Sequence, residues 1–282
     1  MKITDEQIEQ YIQEDHAGID YLSKHLINAK SELTGSFIAK ATGVVSGAAL
    51  AMGILKKIAP SIRYNIVKED GKHVNRGDVI ATIRGKASDV IRSYRIAQNF
   101  LERLSGIASC VNKYVVELSG LNTKVVIRRS TTPGYRDLEN DAVIDGGGEM
   151  FSRYIDDKRI ITCEHIAGIG SITDAAQMYE NKNRAGVPYW IEVEDEDEFY
   201  EASLTNCVGI IMCNFNDTMI QECLEMNDKN KELALDNRNI TLPNIRAFAK
   251  YGFSYIFVPA TTTAYKALDI DFKTLEKRRK LK

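Results

Sequence analysis

A short segment near the middle of the chain combines residue types that suit the binding of a small anion. Arg128 and Arg129 follow the β-branched run 125–127, and the sequence Thr-Thr-Pro-Gly-Tyr-Arg occupies residues 131–136. Three glycines follow at 146–148. This order predicts a strand, a cationic strand end, a Pro-Gly turn and a glycine-rich loop. Guanidinium groups and exposed backbone N–H groups at such a place can bind an anionic ligand.

The triple glycine by itself is better explained by packing and turn formation than by phosphate binding. Its spacing fits neither the Walker sequence nor the dinucleotide-binding sequence. We therefore interpret residues 146–148 as a place where the backbone turns or approaches another element closely.

Two glutamates and one histidine are further candidates for chemistry. Glu192 and Glu194 are two residues apart in a predicted strand, so their side chains share a face. Either this pair holds a metal ion or a cationic substrate, or one glutamate forms a salt bridge inside the protein and the other lies at the rim. His165 either contacts a ligand or has its hydrogen bonds satisfied within the protein.

Composition excludes several classes of function. The chain has 282 residues, a hydrophobic fraction of 44% and a net charge of −2, which argues against a nucleic-acid-binding or membrane-surface protein. The longest weakly polar stretch, 43–55, is too short to span a bilayer, and the polar N-terminus is no secretory signal. The five cysteines form no CxxC pair, so we expect reduced thiols and a cytoplasmic location.

The pattern of apolar residues changes near residue 124. Before it, helices are predicted at 4–14, 48–58 and 88–118, the last with a break at Gly106, and strands at 35–42 and in a β-rich unit at 64–85. After it, short apolar runs alternate with helical patterns, which predicts parallel strands. Polar residues end several of these runs. Because barrel sites are built at that rim, we favour an α/β barrel over an open wound sheet.

At this point the motifs resemble those of the quinolinate phosphoribosyltransferase family, also called nicotinate-nucleotide pyrophosphorylases. The resembling segments are, in chain order, Glu14-Asp15 with Asp20, the hairpin 71–85, Arg95 with 99–108, 131–148, 192–194, 210–212 and 240–245. They extend over nearly the whole chain.

The resemblance implies an α/β fold in which an N-terminal α/β-sandwich domain accompanies an open α/β barrel. On this basis we expect domains at 1–107 and 108–267, with 268–282 packing back on the first. Family members work in NAD biosynthesis. They join a pyridine dicarboxylate to phosphoribosyl pyrophosphate, with Mg²⁺, and release pyrophosphate and carbon dioxide. The resemblance also implies a homodimer whose active site, at the barrel mouth, is completed by an arginine of the partner subunit.

Four positions match residues that the family uses at this site. Arg95 matches the arginine given to the partner, and Arg129 matches the arginine before the Pro-Gly turn. Glu194 matches a glutamate near the Mg²⁺ and the phosphoribosyl group. His165 matches the histidine that closes the family's Lys-Asp-Asn-His motif. The resemblance thus implies that Glu194 and Arg129 are catalytic, and that Glu194 is a metal ligand.

Other positions depart from the family pattern. Ser130 and Thr162 replace lysines, Phe151-Ser152 replaces a His-Arg pair, Asn214 replaces an aspartate, and Arg238-Asn239 replaces a Gly-Gly phosphate loop. Each lost cationic partner of a buried anion costs roughly 2–5 kcal/mol. Compensation is expected from Arg153 and Arg238, with Arg128, Arg136 and Arg159 as further candidates. The expected substrate-binding set is Arg95, Arg129, Ser130, Arg153, His165, Asn214 and Arg238.

We therefore expect a divergent phosphoribosyltransferase, a pentosyltransferase acting on an aromatic or heteroaromatic acid, with the usual quinolinate and phosphoribosyl pyrophosphate site partly lost. The alternative is a ligand-binding accessory protein or pseudoenzyme on the same scaffold. ModD-like proteins are one such group, which Glu164-His165 resembles. In both cases the expected partners are a small anionic aromatic molecule and a second copy of the chain.

Overall fold

The computed structural model describes residues 4–15, 20–128, 130–153, 157–227 and 231–274. The chain forms two compact units. The first contains the described residues of Met1–Asn112, Thr132–Gly147 and Ala264–Lys282, and the second contains those of Lys113–Thr131 and Gly148–Thr263. The boundary expected between residues 107 and 108 falls inside one long helix, and the segment after the Pro-Gly turn belongs to the first unit.

The helices are α1 (Asp5–Asp15), α2 (Tyr21–Leu26), α3 (Ala48–Ile58), α4 (Ala87–Glu117), α5 (Arg136–Asp145), α6 (Cys163–Ile169), α7 (Ile172–Lys182), α8 (Glu196–Leu204), α9 (Asp217–Met226), α10 (Ile245–Ala249) and α11 (Ala260–Thr263). The strands are β1 (Glu32–Ala39), β2 (Gly43–Val44), β3 (Arg63–Ile66), β4 (His73–Val74), β5 (Val79–Lys86), β6 (Lys124–Ile127), β7 (Glu149–Met150), β8 (Arg159–Ile161), β9 (Tyr189–Val193), β10 (Gly209–Cys213), β11 (Glu232–Asp236), β12 (Tyr255–Phe257) and β13 (Ile270–Thr274).

The first unit is built on a four-stranded antiparallel sheet in the order β13-β1-β5-β3. Helices α3 and α4 contribute Leu55, Val90 and Leu101 to one buried cluster with Phe37 of β1 and Ile80 of β5. The sheet and these helices form the separate N-terminal α/β domain that we predicted.

The predicted break at Gly106 is wrong, because α4 continues through it. A Cβ on Gly106 would lie 2.7 Å from both the Cα of Ala267 and the carbonyl oxygen of Lys266. The glycine therefore permits close packing inside a helix, where its propensity cost of about 1 kcal/mol is tolerated.

The interpretation of the triple glycine as a packing and turn device is confirmed. A Cβ on Gly146 would lie 2.5 Å from the carbonyl oxygen of Ala108 and 2.8 Å from the Cβ of Val111. Gly147 has φ of 89°, in the left-handed region that favours glycine. These glycines let the chain leave α5 in contact with α4.

The second unit is a seven-stranded parallel sheet in the order β7-β6-β12-β11-β10-β9-β8. Strands β9 and β10 are buried at every position, as expected for parallel strands covered on both faces. Side chains of Ser171, Asp195 and Asn216 cap the following helices α7, α8 and α9. The sheet has two edge strands, β7 and β8, so the predicted open α/β barrel is confirmed.

No helix within the described part of the chain is long and apolar enough to cross a membrane.

Candidate functional site

Arg128 follows β6 directly and reaches across the interior of the barrel. Its Nη1 donates a hydrogen bond to Oε1 of Glu192 in β9 over 2.6 Å. Its Nε lies 2.6 Å from Oδ2 of Asp236 in β11, an ion pair in which the N–H does not point at the carboxylate oxygen. Its Nη2 is 3.7 Å from Sγ of Cys213, and its guanidinium lies 4.8 Å from the ring centroid of Phe257. One cation is thus held by four other strands.

Burial and mutual attraction act against each other on the charged groups of this cluster. Burial raises the pKa of Glu192, although Arg128 and the backbone N–H of Cys163 favour its charged form. Burial also raises the pKa of Asp236, against the attraction of Arg128. For Arg128 itself burial disfavours the charge, but Asp236 and Glu192 outweigh it and the pKa is raised. Arg128 is therefore always charged.

The start of α6 forms the rim beside this cluster. Thr162 is the N-cap, and its backbone N–H donates to Nδ1 of His165 over 3.1 Å. The Thr162 hydroxyl lies 2.9 Å from the same nitrogen. His165 is exposed and its Nδ1 is used to cap the helix. Burial and the nearby Glu194 and Glu192 raise the pKa of the Cys163 thiol to about 12, so this thiol is not an activated nucleophile.

A second cation, Lys158, lies against an aromatic cluster inside the barrel. Its Nζ is 3.8 Å from the ring centroid of Phe151, 4.8 Å from that of Tyr255 and 5.0 Å from that of Trp190. Phe151 packs edge-on against Trp190, Tyr255 and Phe257, with centroids 4.9–5.2 Å apart. Burial lowers the pKa of Lys158, against the attraction of Glu232 and Glu149. Aromatic faces partly offset the desolvation of an ammonium group.

A cavity of about 730 Å³ connects these groups. Its apolar walls include Phe151, Ile160 and Met178, and its charged walls include Arg128, Lys158, Arg159, Lys182 and Glu192. Ser152, Thr162, Glu164 and His165 also line it. Its size and its mixture of apolar and cationic groups suit a planar organic anion.

The remaining expected site residues have more varied surroundings. Arg129 lies outside the described residues. Ser130 is exposed, and its carbonyl oxygen accepts a hydrogen bond from the Thr262 hydroxyl over 2.7 Å. Asn214 is exposed with φ of 63°. Arg238 is exposed, and its positive charge favours the charged form of Asp236.

Arg153 and Glu194 are less directly connected to the cluster. Arg153 is half-buried, and its backbone N–H donates to Oδ2 of Asp157 over 2.8 Å. Glu194 is exposed, one residue beyond the end of β9, and its backbone N–H donates to Oε2 of Glu198 over 2.7 Å. Of Glu192 and Glu194, Glu192 is the one whose side chain enters the barrel, where it bonds to Arg128.

Arg95 belongs to the first unit, on α4. It is exposed, and its Nη2 donates to the hydroxyl of Tyr94 over 3.1 Å. On the same helix, Phe100 and Arg103 line a smaller cavity of about 180 Å³ with Tyr11 and Tyr135. The Tyr11 hydroxyl donates to the carbonyl oxygen of Gly134, so α1 is tied to the Pro-Gly turn.

The residues present do not fit a divalent metal held by the protein. In the described ranges no three His, Cys, Asp or Glu side chains gather as a ligand set. The carboxylates that converge at the barrel mouth, Glu192 and Asp236, are both engaged by Arg128.

The sequence analysis placed Arg128 at a cationic strand end and named it as a possible replacement cation, but it did not identify Lys158. Polar site residues of a barrel are expected at the ends of the apolar runs, and Arg128, Glu192 and Asp236 stand at three of these ends. No local signal pairs them, because they come from strands that are far apart in the chain. In the sequence, Phe151 stood out only because Phe151-Ser152 replaces a cationic His-Arg pair. In the structure, Phe151 packs at the centre of the aromatic cluster.

Comparison with known proteins gives consistent results over the full length. A family model described as "Quinolinate phosphoribosyl transferase, N-terminal domain" matches residues 20–105, and the corresponding C-terminal domain model matches residues 107–273. A protein from Synechocystis sp. named "Probable nicotinate-nucleotide pyrophosphorylase" is 30% identical, with 96% of this chain and 92% of that protein covered. A Bacillus subtilis protein of the same name is 29% identical, with 90% and 87% covered. The crystal structure of a nicotinate-nucleotide pyrophosphorylase from Ehrlichia chaffeensis has a TM-score of 0.91 at 26% identity, with 98% of this chain and 100% of that chain covered.

Proposed function

The chain belongs to the quinolinate phosphoribosyl transferase family, and we propose that it is a phosphoribosyltransferase that uses phosphoribosyl pyrophosphate and an aromatic acid of the quinolinate type. The pyridine nitrogen attacks C1 of the phosphoribosyl group, and the C1–oxygen bond to pyrophosphate breaks. With quinolinate, one ring carboxylate leaves as carbon dioxide, a proton takes its place on the ring carbon, and the product is nicotinate mononucleotide.

The observation that carries this proposal is the cavity at the barrel mouth, with apolar walls and a ring of cations. Phe151 and Ile160 offer flat apolar contact for an aromatic ring, while Arg128, Lys158 and Arg159 provide positive charge for carboxylates and phosphates. Glu192 lines the same cavity, where a carboxylate stabilises the positive charge that develops at C1 when pyrophosphate leaves.

The cations of this cavity differ from the family pattern, and we propose that the difference adjusts recognition of the acid. Thr162 supplies a hydroxyl group to the cavity where a lysine is usual, and Lys158 supplies an ammonium group beside the aromatic ring of Phe151. With this arrangement the cavity should accept, beside quinolinate, pyridine acids that differ from it in the position or number of their carboxylates.

Three further parts of the proposal come from the family resemblance. The protein acts as a homodimer in which the partner's Arg95 meets the substrate. Mg²⁺ enters with the pyrophosphate group of the substrate. The cytoplasm is the proposed location, which agrees with five cysteines that are all free thiols.

A second candidate, a ligand-binding protein without turnover, is favoured by one observation. The guanidinium of Arg128 is already neutralised by Glu192 and Asp236, so it offers less charge to a bound anion than an unpaired arginine. In that case the cavity binds the aromatic acid but no glycosidic bond forms.

The test is a turnover assay with the purified full chain, quinolinate, phosphoribosyl pyrophosphate and MgCl₂, in which nicotinate mononucleotide is separated by chromatography and pyrophosphate is measured by a coupled assay. We expect both products in equal amounts. Isomeric pyridine dicarboxylates and nicotinate are assayed in parallel to define the acid.

Two variants show whether the products come from this cavity. Glu192→Gln should abolish turnover, and Glu222→Gln, an exposed change on α9, should leave it unchanged. If no acid gives product but calorimetry shows that quinolinate binds, the proposal of an enzyme is wrong and the protein is a ligand-binding protein.

A further inference from the structure

The cluster around Arg128 contains more negative than positive charge and has one cation at its centre. Two carboxylates, Glu192 and Asp236, converge on a single guanidinium at 2.6 Å each. The third partner, the Cys213 thiol, has its pKa raised, chiefly by burial, and so stays neutral. Carboxylates that converge in this way from β9 and β11 are ordinarily brought together by a divalent ion or by an arginine.

The guanidinium has a neighbour from each of four other strands. The Phe257 ring lies below it at 4.8 Å, the Cys213 sulfur lies 3.7 Å from Nη2, and the carboxylates take the remaining nitrogens. Arg128 starts from the end of β6, which is separated from β9 by three strands in the sheet order. The side chain thus lies between Glu192 and Asp236 and puts a positive charge within 2.6 Å of both carboxylates.

The other acidic candidates do not provide a replacement site. Glu194 is exposed beyond β9, and Asn214, at the end of β10, is uncharged and exposed. In the part of the chain that the structure describes, no third acidic, His or Cys ligand completes a metal site.

We propose that Arg128 is a built-in cation of the barrel mouth, a positioning residue that holds Glu192 and Asp236 in place of a divalent metal ion. The protein then binds no divalent ion of its own at these carboxylates, and any such ion used in the reaction arrives on the pyrophosphate of the substrate. This inference rests on the proposed function and adds to it which cation neutralises Glu192 and Asp236 at the barrel mouth. Because it concerns the protein without substrate, it can fail independently of turnover.

The test is a titration of the full chain with MnCl₂ in the absence of substrates, with free Mn²⁺ measured by electron paramagnetic resonance. Wild-type protein should show no binding that depends on Glu192. Arg128→Ser should bind one Mn²⁺ at least about tenfold more tightly than wild type, because it removes a positive charge a few ångströms from the two carboxylates.

Three controls separate this effect from a general change in charge. Arg128→Lys keeps a cation and should not gain Mn²⁺ binding. Arg128→Ser combined with Glu192→Gln should lose the gained site. Arg84→Ser removes an exposed arginine that pairs with Glu32 and should behave as wild type.

The proposal is overturned by wild-type Mn²⁺ binding that Glu192→Gln abolishes, or by a folded Arg128→Ser protein that gains no Mn²⁺ affinity. Folding is checked by circular dichroism. Arg128→Gln, which keeps most of the side-chain volume, carries the same expectations if the serine variant does not fold, and the wild-type titration needs no variant at all.

Discussion

Arg128 and Glu192 are joined by a 2.6 Å hydrogen bond although their strands, β6 and β9, are separated by three others in the sheet. A flat sheet would hold these side chains about 19 Å apart, at roughly 4.8 Å per strand. The contact therefore exists only because the sheet curls into a barrel. It links closure of the fold to the charge at the mouth of the cavity.

The energetic coupling of this pair is testable by a double-mutant cycle. Arg128→Met and Glu192→Gln should each lower the free energy of unfolding by about 2 kcal/mol. The first leaves the buried Glu192 carboxylate without its cation, and the second leaves the half-buried Arg128 without one of its anions. The double variant should lose clearly less stability than the sum of the losses in the two single variants.

Urea denaturation followed by Trp190 fluorescence measures the free energy of unfolding of all four proteins. The exposed pair Arg84–Glu32 serves as the reference cycle, with a coupling of about 0–1 kcal/mol. Strict additivity for Arg128 and Glu192 would show that the bond contributes nothing.

Arg95 provides a test of the shared active site. Arg95→Ala should lower kcat/KM by about thirtyfold or more, since loss of a cationic partner of a bound anion costs at least about 2 kcal/mol. Its melting temperature should not change, because the side chain is exposed and bonds only to neighbouring Tyr94 among the contacts described. Arg92→Ala, also exposed and on α4, is the matched control and should retain activity.

Mixed dimers extend this test. Arg95→Ala subunits mixed with Glu192→Gln subunits should recover activity, because one of the two sites in each mixed dimer then has both residues. If mixing restores nothing while both homodimers remain folded, Arg95 does not act across a subunit boundary.

Lys158 predicts a specific dependence of stability on pH. Burial lowers its pKa in the folded protein, so between that value and the unfolded value of about 10.4 the unfolded chain binds more protons. Stability from this group should therefore rise as pH increases through that interval. The difference in unfolding free energy between wild type and Lys158→Met should increase from pH 7 to pH 10.5 in favour of wild type. A constant difference would mean that the ammonium is as well solvated in the barrel as in the unfolded chain.

Substitution by alanine should have opposite effects on stability at Gly146 and at Gly53. Gly146→Ala should destabilise the protein by about 1–3 kcal/mol, because its Cβ would overlap the carbonyl oxygen of Ala108. Gly53→Ala should stabilise by up to about 1 kcal/mol, because Gly53 is exposed within α3 and nothing lies within 4 Å of the added atom. Thermal unfolding measures both, and destabilisation by Gly53→Ala would contradict the open space seen there.

Much of the fold could be predicted from local signals. The helix predicted at 48–58 has those bounds, and the predicted alternation of strands and helices is found from β8 to β12. Apolar periodicity and capping residues give these elements correctly because they are properties of neighbouring residues. The helix break predicted at Gly106 is wrong because a local signal does not include tertiary packing. Here the close approach of residues 266 and 267 requires a residue without a side chain, and this overrides the low helix propensity of glycine.

The sequence by itself determined the scaffold, its family and the kinds of groups that stand at strand ends. Motifs that are contiguous in the chain carry that information directly. Only the tertiary structure decided that Glu192 rather than Glu194 enters the barrel, that Arg128 bridges Glu192 and Asp236, and that Lys158 rests on an aromatic cluster. These relationships join strands that are distant in sequence, and they follow from the curvature and register of the parallel sheet, which no single segment specifies.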